Sequence, residues 1–372
     1  MPIPVTISSS PRFSLNFEEL RTDLALNSLD FDGTSVAGPH FLTYSGTIDD
    51  RSYSLEIQAV DLGDGRFAVA GMTVESTGNG PVDQTSVVLN FERFEIEYVI
   101  GEEAALPEMI FGSFLEDMAV RMRGSQSDDL LSGTNNGDRL FLMSGDDVGL
   151  GFAGADVIDG GRGNDLIVGG AGPDTLRGGP GNDLLVDGAG NDRSSGGAGN
   201  DVFLFGDGSN VVSGGRGHDM FVVGADQPGR TLVRDFDGSE DVLLFTGMEA
   251  LPSGDYAGQT LADVSPNDLA GLEWVNTPTG DLYLRNGDHV VILRGTEASD
   301  VPVESLFMTE ETTTEILGIF SANPGEGVVA AGFAGDAFWS ETGYWGDPIS
   351  TLPWELYGPM GWVSEMTAVP EL

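Results

Sequence analysis

The chain has 372 residues, of which 60 are acidic and 16 are basic, and its formal net charge is −44. This charge excludes nucleic acids and anionic membrane surfaces as favoured partners, because both repel a strongly acidic protein. Cysteine is absent, which excludes disulfides and thiolate metal sites, and no apolar run reaches the ~20 residues that a transmembrane helix needs.

Residues 1–123 are predicted to form an antiparallel β domain. The segments HFLTYSGTI, SYSLEIQAV, RFAVAGMTV and TSVVLNFERFEIEYVI alternate apolar and polar residues with period two. Turn residues at 64–65 and 77–81 separate these segments, as in a meander or a small sandwich. A helix from about Glu103 to Met122 is expected to lead into the next segment. The N-terminal sequence shows neither the basic nor the apolar region of a cleaved secretory peptide.

Nine-residue repeats occupy residues 124–222. Eleven units run from Gly124 to Val222 without an insertion, and the sixth position is aspartate in ten units and asparagine in the other. The eighth position is a large apolar residue in nine of the eleven units, which predicts an inward-facing column. Glycine crowds the first, second and fourth positions, where the backbone needs positive φ angles or a close approach to an ion.

The unit resembles the RTX (hemolysin-type) calcium-binding nonapeptide, G-G-x-G-x-D-x-U-x, in which U is a large apolar residue. This resemblance implies a right-handed parallel β-roll in which two units make one coil, six residues of each unit forming a turn and three a strand. It also implies that each Ca²⁺ ion lies between unit i and unit i+2, so that eleven units hold at most nine ions. Hard oxygen ligands and stacked carboxylates favour Ca²⁺ over other metals.

The predicted metal ligands are the sixth-position residues and the glycines of the second and fourth positions. The sixth-position residues are Asp129, Asp138, Asp147, Asp156, Asp165, Asp174, Asp183, Asp192, Asp201, Asn210 and Asp219. The glycines are Gly161, Gly163, Gly170, Gly172, Gly179, Gly181, Gly188, Gly190, Gly197, Gly199, Gly215 and Gly217. The eighth unit departs from the pattern, because Asp187 replaces its first glycine and Ser194 its apolar core residue.

Residues 223–308 are predicted to form a β capping module. Thr231–Phe245 partly matches the pattern D-F-x-x-G-x-D-x-I-x-L that often closes RTX rolls, and residues 272–295 alternate around turns at 279–280 and 286–287, as in a hairpin or meander. Asp235, Asp237 and Asp241 either bind one more calcium ion or are solvated acids. The whole fold is therefore predicted to be all-β, with the roll between an antiparallel N-terminal domain and a C-terminal β cap.

Residues 309–372 are predicted to form an acidic tail rich in glycine and tryptophan. Beyond Arg294 the chain has thirteen acidic residues and no arginine, lysine or histidine. The resemblance implies secretion from a Gram-negative bacterium by a type I system that reads an uncleaved C-terminal signal, and the acidity of the tail fits that role. The alternatives are a segment that packs on the preceding strands and a surface for attachment.

No metalloprotease or serine-hydrolase motif is present, and the three histidines, His40, His218 and His289, are scattered, so no catalytic residue is predicted. Two functions stay open. The first is a secreted calcium-binding protein with a structural, adhesive or binding role, whose partner is an extracellular polysaccharide or a cell surface. The second is an extracellular carbohydrate-active enzyme that uses N-terminal carboxylates such as Glu92, Glu95 and Glu97.

Overall fold

The computed structural model describes residues 5–9, 30–35, 40–48, 51–63, 66–77, 84–90, 97–99, 119–224, 228–245, 256, 258–266, 268–269 and 271–306. Regular structure in these residues is β-strand, apart from two short 3₁₀ turns at Ala298–Asp300 and Val303–Leu306. The predicted all-β class is confirmed. The chain divides into two compact units, Met1–Ile158 and Asp159–Leu372.

The strands of the first unit fall into an antiparallel set and a parallel set. They are β1 (Val5–Ser9), β2 (Asp30–Ser35), β3 (His40–Ile48), β4 (Arg51–Gly63), β5 (Arg66–Thr77), β6 (Gln84–Asn90), β7 (Glu97–Val99), β8 (Val120–Arg123), β9 (Leu130–Ser132), β10 (Arg139–Ser144) and β11 (Val148–Leu150). Strand β12 (Val157–Arg162) contains the boundary between the units.

The N-terminal sheet is antiparallel, as the period-two pattern predicts. Strands β2 to β6 pair in chain order, and β7 pairs with the start of β5. Along β4, Tyr53, Leu55 and Ile57 are buried while their neighbours are exposed, so one face of this sheet packs on a core. The predicted turn residues 64–65 and 78–81 lie outside the described residues.

The predicted helix is wrong over its last residues. Val120–Arg123 is strand β8, which pairs in parallel with both β1 and β10, and its side chains are alternately buried and exposed. The four residues alternate between buried and exposed, and a strand pairs with them on each side. This pairing favours an extended backbone over a helix. Residues 103–118 lie outside the described residues. Because β1 also pairs with β6, the antiparallel sheet continues into the first parallel strands.

The second unit is built mainly from parallel strands. They are β13 (Leu166–Ala171), β14 (Thr175–Pro180), β15 (Leu184–Gly190), β16 (Arg193–Ala198), β17 (Val202–Arg216), β18 (Met220–Val223), β19 (Gly229–Val233) and β20 (Val242–Phe245), followed by β21 (Leu272–Asn276), β22 (Leu282–Asn286) and β23 (His289–Leu293).

Within each of the two compact units, repeats pair with the repeat two places further along the chain, as the predicted roll requires. Leu166 is opposite Leu184, and Thr175 is opposite Arg193, so the register advances by one coil of two units. The strands that follow the odd-numbered units form one stack, here called the odd stack, and those that follow the even-numbered units form the even stack. In the first compact unit, Met1–Ile158, β9 pairs with β11 and β8 pairs with β10 at the same spacing.

The strands are longer than the resemblance implies. Strands such as β13 and β14 have six residues, because pairing continues from the seventh position of one unit through the third position of the next. Gly170 is opposite Gly188, and Gly179 is opposite Gly197. Glycine has no side chain to separate these backbones, so the ladder extends into positions that the family pattern assigns to the turn.

The apolar eighth-position side chains form the interior of the roll, as predicted. All nine are at most 1% exposed, and they are Leu131, Leu140, Ile158, Ile167, Leu176, Leu185, Phe203, Val212 and Phe221. Phe203 and Phe221 stack with their ring centroids 5.2 Å apart. These nine side chains therefore supply the interior of the coils, and Gly149 and Ser194 take the eighth position in the other two units.

In the second compact unit, Asp159–Leu372, the odd stack and the even stack have different outer faces. The seventh and ninth positions of the odd stack are apolar, and together with Leu244 of β20 they form a buried cluster. Its repeat members are Leu184, Val186, Val202, Leu204, Met220 and Val222. The corresponding positions of the even stack include Thr175, Arg177, Arg193 and Ser195, which are half-buried or exposed. We call the first of these surfaces the apolar outer face.

Parallel pairing continues beyond residue 222 and ends in an antiparallel meander. Strand β18 pairs with β20, β17 pairs with β19, and β19 pairs with β23, all in parallel. Strands β21, β22 and β23 then pair antiparallel, with Gly280 and Gly287 at positive φ in the two turns. The predicted meander is confirmed, and it covers a strand edge that would otherwise be open to other chains.

Leu176→Ala is expected to destabilise the calcium-loaded protein by about 2–5 kcal/mol, because the change leaves a cavity in the interior of the roll. Arg177→Ala is the matched control, because Arg177 is the next residue of β14 and its side chain is exposed. This control should change stability by no more than about 0.5 kcal/mol. Chemical denaturation in excess calcium measures both values, and equal effects would contradict the assignment of inward and outward positions.

Candidate metal centre

Within each of the two compact units, the sixth-position residues form two columns of buried side chains. All eleven are at most 2% exposed, including the ten carboxylates. Each column lies at the turns that precede one stack of strands, because the sixth-position residue is followed directly by the first strand position. We call the column before the odd stack the odd row and the column before the even stack the even row. The predicted ligands are therefore brought together in rows, one residue for every coil in each row.

Hydrogen bonds fix one oxygen of most of these carboxylates. In each case Oδ1 accepts a hydrogen bond from the backbone N–H of the sixth-position residue one coil earlier. The donor and acceptor pairs, with their N···O distances, are Asp129 and Asp147 at 2.7 Å, Asp138 and Asp156 at 2.6 Å, Asp165 and Asp183 at 2.9 Å, Asp174 and Asp192 at 2.8 Å, Asp183 and Asp201 at 2.9 Å, and Asp201 and Asp219 at 3.0 Å. The ladder orients the carboxylates and leaves Oδ2 for another partner.

The second carboxylate oxygen is buried beside a backbone carbonyl. Oδ2 of Asp192 and Oδ2 of Asp201 accept no hydrogen bond from any residue that the structure describes. A methyl group added at Gly160 would lie 2.3 Å from Oδ2 of Asp165 and 2.7 Å from the carbonyl oxygen of Gly178. The first-position glycine thus keeps open a space that is bounded by a carboxylate of unit i and a carbonyl oxygen of unit i+2.

The predicted second- and fourth-position glycines are required by both conformation and space. Eleven of the twelve have positive φ, and the exception is Gly190. A methyl group at Gly179 would lie 2.0 Å from the carbonyl oxygen of Gly161, and one at Gly181 would lie 1.7 Å from that of Gly163. Side chains at these positions would separate the coils and would disturb the carbonyl oxygens of the turns.

Burial raises the pKa of four of these carboxylates, those of Asp138, Asp192, Asp201 and Asp219. It raises the pKa of Asp201 to about 7, and the carboxylate of Asp219 adds to this rise. It likewise raises the pKa of Asp192 to about 7, with a further contribution from Asp174. Stacked buried acids repel one another when they ionise, and a bound cation removes that repulsion.

The donor set fits a calcium ion. Ten of the eleven turns contribute a sixth-position carboxylate beside the backbone carbonyl oxygens of the loop, and these are the hard and adaptable oxygen ligands that Ca²⁺ prefers. No group of three or more acidic or histidine side chains that could hold a metal by itself was found among the described residues. Any bound ion would therefore draw on the carbonyl oxygens together with the sixth-position side chains.

Two features of the turns are not part of the sequence prediction. Fifth-position residues form a second ladder in the opposite direction, in which the side-chain oxygen of Asn164 accepts from the N–H of Asn182, and that of Asn182 accepts from the N–H of Asn200. Asp241 also continues the sixth-position row, because its Oδ1 accepts from the N–H of Asp219 at 3.0 Å. The recurrence of asparagine at the fifth position is the signal that could have revealed the first of these.

The other acids near the end of the roll have hydrogen-bond partners. Asp235 accepts from the N–H of Gly214 and from the hydroxyl of Ser213, while Asp237 accepts from the N–H and hydroxyl of Ser239. His218, at the fifth position of the eleventh unit, is exposed. Of the N-terminal acids considered for carbohydrate chemistry, Glu92 and Glu95 lie outside the described residues and Glu97 begins β7.

Comparison with known proteins identifies the repeats. A family model described as "RTX calcium-binding nonapeptide repeat (4 copies)" matches residues 121–149, 143–176, 150–185, 168–203, 186–221 and 206–227. No curated protein matches the chain. In the described residues, no helix is long and apolar enough to cross a membrane.

Two solved structures share a partial likeness with the chain. The extracellular lipase LipA from Serratia marcescens is 20% identical with a TM-score of 0.28, and the match covers 52% of this chain and 40% of the lipase. The AlgE6R3 subunit of the Azotobacter vinelandii mannuronan C5-epimerase is 23% identical with a TM-score of 0.25, and the match covers 49% of this chain and 79% of that subunit. The chain therefore spans less than half the length of the lipase.

Acidification is expected to stabilise the calcium-free roll and to weaken calcium binding. Asp192 and Asp201 have pKa values of about 7 in the folded protein and an ordinary value of 3.8. Their contribution to the stability of the calcium-free fold is therefore fully present below the ordinary pKa and is lost as the pH rises through about 7. Calcium competes with the same protons, so its affinity should rise from about pH 5 to about pH 8. Calorimetric titration with CaCl₂ across this range measures the affinity, and an affinity that is independent of pH would contradict the prediction.

Proposed function

Because residues 121–227 are an array of RTX calcium-binding nonapeptide repeats, we propose that this protein is exported without its ions and folds when its repeats bind Ca²⁺ outside the cell. The observation that carries this proposal is the pair of buried carboxylate rows. Ionised acids in these rows oppose folding until a cation neutralises them, and the free energy of binding then contributes to the stability of the folded protein. Low cytosolic calcium would keep the chain unfolded before export.

The proposed ligands are the sixth-position side chains from Asp129 to Asp219 and the glycine backbone of the turns. The carboxylates orient toward carbonyl oxygens of the unit two places further on, as at Gly160 and Gly178, which supports ions held between unit i and unit i+2. Eleven units would then hold at most nine ions. The proposed domains are 1–123, the roll at 124–222, a capping module at 223–308 and the tail at 309–372.

The proposed role is structural, adhesive or binding, outside a Gram-negative bacterium. The antiparallel sheet of the first unit and the meander of the second unit each continue parallel roll strands. Such a scaffold suits the presentation of a surface to an extracellular partner, and the strong negative charge disfavours nucleic acids and anionic lipids. A polysaccharide or another cell-surface component is the proposed partner.

Calcium removal is expected to unfold the roll. The full chain should lose most of its β signal in circular dichroism when EDTA is added and regain it cooperatively in millimolar CaCl₂. Asp183→Ala should shift the calcium midpoint upward, because it removes a buried carboxylate from the odd row. Asp288→Ala is the control, because Asp288 is exposed in the turn between β22 and β23, and it should leave the midpoint unchanged. An equal β signal with and without calcium would refute calcium-driven folding.

Deletion of residues 309–372 is expected to abolish export while calcium-induced folding persists. The reason is that the repeats and the meander lie before this segment, whereas the acidic stretch without basic residues that begins after Arg294 is the proposed export signal. The assay measures full-length and truncated protein in the medium of a cell with a type I exporter, together with circular dichroism of both proteins. Continued secretion of the truncated protein would contradict this location of the signal.

A further inference from the structure

The eighth repeat contains a buried acid that the other repeats lack. Asp187 takes the first position, where units five, six, seven, nine and eleven have glycine. Its side chain is 1% exposed, whereas a methyl group added at the first-position glycine of the preceding unit, Gly178, would overlap the carboxylate of Asp183. A charged group at this place is costly unless it has a partner of opposite charge.

A β-bulge in β15 accommodates the side chain of Asp187. Between β15 and β17, Val186 is opposite Leu204 but Gly188 is opposite Phe205, so the register shifts and Asp187 has no opposite residue. Oδ1 of Asp187 accepts a hydrogen bond of 2.8 Å from the N–H of Gly206. The bulge therefore turns the carboxylate into the protein and fixes one of its two oxygens.

The carboxylates of Asp187 and Asp192 repel each other when both are ionised. Oδ2 of Asp187 and Oδ2 of Asp192 are both buried, and neither has a hydrogen-bond partner among the described residues. In the neighbouring units the first-position Cβ direction leads to the sixth-position carboxylate of the same unit, at 2.2 Å in the case of Gly178 and Asp183. Burial and the Asp192 carboxylate both hold the pKa of Asp187 well above its ordinary value.

The next coil lacks the carboxylate that the pattern would supply. The sixth-position residue after Asp192 in the even row is Asn210, whose amide oxygen accepts the N–H of Asp192 at 3.1 Å. The even row is therefore one negative charge short at Asn210, and Asp187 adds one negative charge beside Asp192. The number of ligand charges is one of the properties that set calcium affinity.

We propose that Asp187 and Asp192 together form a two-carboxylate calcium site in the eighth repeat, and that Asp187 supplies the charge that Asn210 lacks. This inference rests on the proposed calcium binding of the roll. It assigns a ligand at a position that is glycine in the repeat pattern. The turns of units five, six, seven, nine and eleven each contain one acidic side chain, so this site should differ from theirs in both charge and affinity.

The test compares the calcium titration of the full-length protein with that of three variants, using CaCl₂ alone. Asp187→Gly restores the pattern of the neighbouring units, and Asp187→Asn keeps the size of the side chain. Both should lose one bound ion, or weaken one ion by about tenfold or more, while the other ions still bind and the β signal in calcium persists. Asp207→Asn is the control, because Asp207 is an exposed acid in the tenth repeat, and its titration should match that of the unchanged protein.

A rescue distinguishes a calcium ligand from a packing residue. Adding Asn210→Asp to Asp187→Gly should restore the lost ion, because it returns a carboxylate to the even row. Titrations of Asp187→Gly and Asp187→Asn that equal the unchanged protein would overturn the inference, and so would a loss that Asn210→Asp does not restore. If the unchanged protein itself binds no calcium, the proposed function fails, and that result is separate from a defect confined to the Asp187 variants.

Discussion

The burial of an acid in every repeat unit but one is the constraint on which this structure depends. A coil adds eighteen residues and two sixth-position side chains, and most of these are carboxylates excluded from solvent. The backbone ladder holds Oδ1 of these groups, so they cannot rotate into water when they ionise. The thin interior has an apolar eighth-position side chain in nine of the eleven units, and the burial of these side chains offsets little of this repulsion. Protons or cations must therefore accompany folding.

The same constraint explains the glycine content of the turns. In units five, six and seven, which have a first-position glycine, the sixth-position carboxylate and a carbonyl oxygen of the next coil border a space that a side chain would fill. At Gly160 a single methyl group would fill the space between Asp165 and the next coil. Glycine also loses more conformational entropy on folding than other residues. The glycines that leave space for an ion beside the carboxylates therefore make the backbone less stable. The stability of the folded array then depends on the free energy of ion binding.

Much of the roll could be predicted from the sequence because each position of the repeat has one environment. The eighth-position core and the buried acids follow directly from the nine-residue phase. The inward turn of Asp187 could not be predicted, because it depends on a register shift opposite Phe205 that no local pattern encodes. Strand β8 was also missed, because its four residues become a strand through pairing with β1 and β10, and β1 is distant in the sequence.

The unlike outer faces of the two stacks give the array a true period of eighteen residues. The interior side chains and the acids repeat every nine residues, but the seventh and ninth positions repeat every eighteen. Leu184 and Val186 of the seventh unit correspond to Val202 and Leu204 of the ninth, and the unit between them has Arg193 and Ser195. Loss or gain of a single nonapeptide would leave the interior and the acids in phase and would exchange the apolar and polar exteriors of every later coil. Changes in the length of this array are therefore tolerable only in pairs of repeats, and recombination between its units should preserve their parity.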